Sequence, residues 1–136
     1  MKKIVMFSLF VALLTTIFIG CSSKEKEIPN LTGEWKQENS ESEASYQSAT
    51  ITNDTITIYW VSDNGDTKSL YWAGSFVAPT TADEPYSWDS ENDHSKTENS
   101  LLASSDDIKT ITYKDGILSY EVSAMGTTKT VKLKKQ

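Results

Sequence analysis

Few side chains in this 136-residue chain can do chemistry alone, and those few stand apart. Cys21 is the only cysteine and His94 the only histidine. One imidazole excludes any site that needs two, and without a second thiol the usual zinc sets cannot be assembled. The run Asp89-Ser90-Glu91-Asn92-Asp93 puts oxygen ligands at alternate positions, as a calcium loop does. It lacks the sixth-position glycine and the distal glutamate that complete such a loop, so it reads as a solvated acidic stretch. Nucleophilic catalysis needs a base beside a serine or threonine, yet His94 lies in a Ser- and Asp-rich stretch and no serine sits in a nucleophile elbow. Asp106 and Asp107 are adjacent, and on a strand they would point to opposite faces. The chain reads as a non-enzyme with no metal or other cofactor, acting by binding.

What it has in quantity is aromatic surface, four tryptophans and six tyrosines. Their first role is the core, and their second is recognition, because indole and phenol rings bring rigid apolar area with one polar atom. Trp35, Trp60, Trp72 and Tyr120 are the candidates to line a cavity for a small apolar ligand. Tyr86 and Trp88 fall in a polar stretch and are the candidate surface anchors for a protein partner, within a loop running from Pro79 to Asp93.

The elements that must hold these rings are strands. Between regular turn signals the residues alternate with period two, the signature of half-buried β-structure. Asn53-Asp54, Asn64-Gly65, Asp115-Gly116 and Met125-Gly126 mark tight turns. They delimit Ser48–Thr52, Thr55–Val61, Thr67–Val77, Ile108–Tyr113, Ile117–Ala124 and Thr127–Lys134, and Leu31–Glu38 makes a seventh strand. Tyr86 to Asp89 can supply an eighth. Ile56, Ile58, Trp60, Leu70, Trp72, Phe76, Leu118, Tyr120, Val122, Val131 and Leu133 face inward. A two-residue turn at Asn64-Gly65 pairs Trp60 with Ser69 and Thr57 with Trp72. The expectation is an all-β antiparallel meander of seven or eight strands, with an open β-sandwich as the alternative. Residues 78–107, acidic and holding two prolines, form the least ordered part.

The N-terminus carries the address. Lys2 and Lys3 precede an apolar run from Ile4 to Ile19, too short for a stable transmembrane helix and shaped like an export signal. Phe18 and Gly20 suit the ordinary signal peptidase poorly. Phe18-Ile19-Gly20-Cys21 instead resembles the lipobox of bacterial lipoproteins, with Phe18 where leucine is most common. That resemblance implies diacylglycerol on the Cys21 sulfur and cleavage just before it. The expected divisions are a signal peptide at 1–20, a lipidated cysteine and tether at 21–30, and a folded domain at 31–136. The domain would then sit on the extracytoplasmic face of a cell membrane. Two acyl chains give a durable anchor where one is marginal. With its one cysteine spent, the domain has no disulfide and relies on packing.

Without Lys2 and Lys3, eleven lysines face 19 acidic residues, a net charge of −8. There is no arginine, so the bidentate donor for phosphate or guanine is missing and nucleic acid is excluded as a partner. Lys129, Lys132, Lys134 and Lys135 form the one basic cluster. It reads as solvated faces and a blunted edge on the last strand, with anionic lipid headgroups near the anchor as the other possibility.

Leu31-Thr32-Gly33-Glu34-Trp35-Lys36 contains a Gly-x-Trp that resembles the motif opening strand one of lipocalins and related calycin barrels. The resemblance implies an up-and-down barrel with Trp35 closing its floor and an interior that can hold a small apolar ligand. The arginine that commonly packs over that tryptophan has no counterpart here. The whole chain is similar to small lipoproteins of Gram-positive bacteria and their phages. Two binding functions follow as expectations, a small-molecule or lipid binder and an interaction or inhibitor module directed at an envelope protein.

Overall fold

The structure, a computed structural model, describes residues 26–136. The apolar N-terminal run and Cys21 lie outside the described residues. Eight antiparallel strands follow in order: β1 (Gly33–Gln37), β2 (Tyr46–Thr52), β3 (Thr55–Ser62), β4 (Thr67–Ser75), β5 (Tyr86–Glu91), β6 (Ile108–Lys114), β7 (Ile117–Ala124) and β8 (Thr127–Lys135). They form one sheet of order β4-β3-β2-β1-β8-β7-β6-β5. The first and last strands pair, while β4 and β5 meet at a single bridge between Gly74 and Asn92. The sheet thus curls into a small, nearly closed barrel, and the open sandwich is not formed.

The turns explain the register. Asp115 and Gly116 have φ of 51° and 81°, and Met125 and Gly126 have 52° and 79°. These left-handed pairs match the twist of the strands they join. Asp63–Gly65 forms a single 3₁₀ turn, and Trp60 pairs with Ser69 as expected. Further along, Trp72 stands opposite Ile58 rather than Thr57, because β4 carries one extra residue where the ladder shifts between Ile58 and Tyr59. A bulge of this kind has no turn residue to announce it.

The last strand of the chain is interior to the sheet, and the sheet's own edges, β4 and β5, face each other at a seam. β8 is hydrogen-bonded on both sides, to β1 and β7, so its lysines do not blunt an edge. At the seam between β4 and β5, side chains replace the ladder. Trp72 Nε1 donates to Ser90 Oγ (2.9 Å), Trp88 Nε1 to the Ser75 carbonyl (2.9 Å) and the Glu91 amide to Ser75 Oγ (2.8 Å). Gly74 allows this approach, since a Cβ there would run into Ser90 Oγ and Trp72 Nε1 and lie 2.8 Å from the Glu91 carbonyl.

Residues 92–107 are ordered, contrary to their composition. Asp93 caps the short helix α1 (His94–Thr97), and the Asn92 side-chain Nδ2 donates to the carbonyls of Ser104 (3.2 Å) and Asp106 (2.8 Å). The segment then lies along the free edge of β4. The Asp93 amide bonds the Ala73 carbonyl, Ser100 Oγ the Leu70 carbonyl and the Ser104 amide the Tyr71 carbonyl. Exposed strand edges invite foreign pairing, and this cover removes one. Among the described residues no helix is long and apolar enough to cross a membrane.

Candidate functional site: the mouth of the barrel

Strand alternation sends every second side chain into the lumen, and the two ends of the lumen differ in what they receive. At the floor, where the chain enters β1, Trp35 is buried and its indole donates to the Leu31 carbonyl (2.9 Å). Tyr113 meets Trp35 edge-on at 6.4 Å between ring centres, and Phe76 meets Trp88 edge-on at 5.1 Å. Lys135, opposite Trp35 in the β1/β8 ladder, passes its stem over Gly33 and donates to the Asn30 carbonyl (2.7 Å). A lysine of the last strand therefore closes the tether end of the floor.

Higher in the lumen the filling turns polar. Tyr120 on β7 donates to Gln47 Oε1 on β2 at 2.5 Å, a strut across the barrel. Gln47 is 0% exposed and its Nε2 has no hydrogen-bond partner. Lys109, 6% exposed, points inward from β6. The β6/β7 ladder stops at Thr112 and Ser119, and in the gap beyond it the Lys109 ammonium donates to the Glu121 carbonyl (2.9 Å). The same ammonium lies over the rings of Tyr71 (5.3 Å), Trp72 (5.4 Å) and Tyr120 (6.0 Å), with the Asp106 carboxylate 3.9 Å away. Burial pushes the Lys109 amine below its ordinary range, against the opposing pull of Asp106 and Glu121. Burial and the charge of Asp106 push the Tyr71 phenol up to about 12, and burial drives Tyr120 well above its ordinary value.

Above this layer the barrel opens. A cleft of about 800 Å³ lies between the 39–45 loop and the β7/β8 turn, and a second of about 570 Å³ lies under residues 101–106. Trp60 stands between them and lines both, with Val122 and Ala124 across from it. Its indole reaches the Leu102 carbonyl (3.3 Å), and its ring meets Tyr71 edge-on at 5.5 Å. Leu101 and Met125 at the rim are fully exposed and Leu102 is half-exposed. Met125 holds φ of 52°, a conformation that an unbranched apolar residue adopts at a cost.

Of the cavity candidates, Trp60 alone lines the mouth clefts. Trp35 and Trp72 are packed in the core, and Tyr120 forms the strut with its edge toward a shallower groove outside β6 and β7. Trp88, expected on a surface loop, is 5% exposed in β5. Its alternation with Ser90 puts it inward, and the acidic residues beside it face out. Tyr86 is half-buried, stacked on Trp88 at 5.9 Å, with its hydroxyl on the Val77 carbonyl. The expected acidic loop is a strand and a helix cap. Asp89 accepts from Thr110 (2.7 Å), Ser90 is inside, and Asp93 is held below the usual carboxylate range by its bonds to Ser95. Among the described residues no three His, Cys, Asp or Glu stand together as a metal site would need. His94 pairs with Asp107 at 2.8 Å, half-exposed. Gln47 and Lys109 carry no motif that marks them in the sequence, although parity points both inward: Gln47 precedes the inward Ala49 and Ile51, and Lys109 precedes the inward Ile111. No family model matches the chain, and searches of curated proteins and of solved structures find no match either.

Proposed function

We propose that this chain is a lipid-anchored extracytoplasmic interaction module, a lipocalin-like barrel that grips another protein with the apolar rim of its mouth. One observation carries the reading. The lumen is spanned by Trp72, Tyr120, Gln47 and Lys109, so no deep cup is left, while Trp60 is flanked by exposed apolar side chains, Met125 in one cleft and Leu101 and Leu102 in the other. Exposed apolar side chains grouped about a partly buried tryptophan are what a binding hot spot needs: an anchor, a rim and little entropy to lose. The tether enters at the floor, so an anchor at Cys21 leaves the mouth accessible from outside.

A photo-crosslinking side chain placed at Leu101 in the full chain tests this in membranes of the cells that make it. The expected outcome is one protein adduct from position 101, lost on Trp60→Ala, and none from a control at Thr112 on the outer wall. Equal labelling from 101 and 112, or no protein adduct from 101, overturns the reading. The mouth clefts favour a small-molecule alternative, which requires the purified chain to weigh more under native than under denaturing conditions.

A further inference from the structure

We infer that the outer wall built by β6, β7, β8 and β1 is a second binding surface, one that lies on anionic lipid headgroups and lays the barrel on its side at the membrane. The proposal rests on the lipid-anchor reading above. It starts from a repulsion. Lys36 and Lys134 are directly opposed across the β1/β8 ladder, a pairing of like charges that weakens a sheet. Lys132 stands two residues further along the same face of β8, since Val131 and Leu133 alternate inward. Ile117 pairs with both Lys134 and Lys114, so the row runs on to β6. Four exposed ammonium groups thus share one wall, interrupted by Ile117, Ser and Thr and bordered by Glu34, Glu121 and Glu38, whose amide bonds the Lys132 carbonyl (2.9 Å).

The charge is out of proportion to the chain. Nineteen carboxylates were available to neutralise this wall, yet among the described residues the ion pairs engage Lys96, Lys109, Lys129 and His94 and none of these four. Acidic groups instead collect past the β6 border of the wall, at Asp89 and Glu91 on the neighbouring β5 and at Asp93, Asp106 and Asp107 around α1. On a body of net negative charge, a wall of lysines outside any ion pair is the part drawn to an anionic surface. Position completes the argument. Lys135, next to Lys134, holds the Asn30 carbonyl, so the tether leaves the fold beside the wall. Nine residues from Cys21 to Asn30 span at most about 30 Å, which keeps the wall within reach of the bilayer.

The test uses the full lipidated chain on two sets of vesicles, pure phosphatidylcholine and phosphatidylcholine mixed with phosphatidylglycerol. A water-soluble amine reagent modifies exposed lysines, and mass spectrometry reads each site, with Lys68 on β4 as the internal control. On anionic vesicles Lys132 and Lys134 should react about tenfold more slowly relative to Lys68, and molar salt should abolish the difference. The variant Lys36→Gln/Lys132→Gln should restore normal reactivity at Lys134. Unchanged labelling on anionic vesicles, or equal protection on neutral ones, overturns the wall proposal alone. Failure of the chain to float with neutral vesicles overturns the anchor reading, and the wall proposal falls with it.

Discussion

The floor and the mouth of this barrel are built from the same strands and the same period-two alternation, yet they spend their aromatic residues differently. At the floor every ring meets another ring or a carbonyl, and Trp35, Phe76, Trp88 and Tyr113 leave nothing for a ligand. At the mouth Trp60 has one ring partner and one long hydrogen bond, and polar groups lie buried beneath it with the Gln47 amide incompletely paired. Packing is complete at the floor and is left unfinished at the mouth. The difference teaches that in a small barrel the site is found by asking where satisfaction stops, because nothing in the composition separates the two ends.

Substitution should widen that contrast. Trp35→Ala should cost about 3–5 kcal/mol, a large share of a domain stability of about 5–15 kcal/mol, as a fall in the urea midpoint. A loss below 1 kcal/mol would mean the floor is not the stabilising end. Tyr120→Phe should cost about 1–3 kcal/mol, because it strips the last partner from a buried amide. Adding Gln47→Leu should return most of that loss, and strict additivity of the two would show that the strut is not a unit. Alkali should act on the same layer. Tyr71 and Tyr120 have folded pKa values above their unfolded value of 10.0, so the stability they lend is whole below pH 10 and drains as pH rises, through about 12 for Tyr71. Lys109 works the other way, since its depressed value means its penalty is relieved as pH climbs toward 10.5. With the Tyr86 phenol also pushed up by burial, three groups against one predict a net fall in the urea midpoint above pH 10, flattened by Tyr120→Phe; a flat profile in the parent would refute the buried polar layer. Smallest of all, Trp60→Ala should cost about 1 kcal/mol while abolishing partner capture. A cost as large as that of Trp35→Ala would erase the distinction between the ends.

Much of the barrel was legible in the chain because turn residues such as Asp115-Gly116 and the alternation of Ile117–Ala124 act locally. The bulge that moves Trp72 opposite Ile58 was not, since it depends on how β4 meets β3 and not on any residue type. Trp88 was misplaced because its acidic neighbours dominate the composition, although Tyr86, Trp88 and Ser90 keep the inward parity. For the site, Trp60 was readable as an aromatic on a strand, whereas its rim of Leu101, Leu102 and Met125 comes from two separate stretches that only the curled barrel sets on either side of it. Gln47 and Lys109 show the limit most clearly. Parity puts them inside, but a polar residue at an inward position looks like a fault in the pattern until its partners across the lumen are known.

The pairing of β1 with β8 has a consequence for how the molecule comes into being. Trp35 and Lys135 are ladder partners about a hundred residues apart, so the strand at the centre of the sheet lacks one neighbour until nearly the whole chain exists. Such long-range closure is slow, because the entropy of a large loop is lost before any contact repays it. While it is being synthesised, the chain can form hairpins but no barrel. Until β8 (Thr127–Lys135) is in place, β1 is paired on one side only and the barrel stays open.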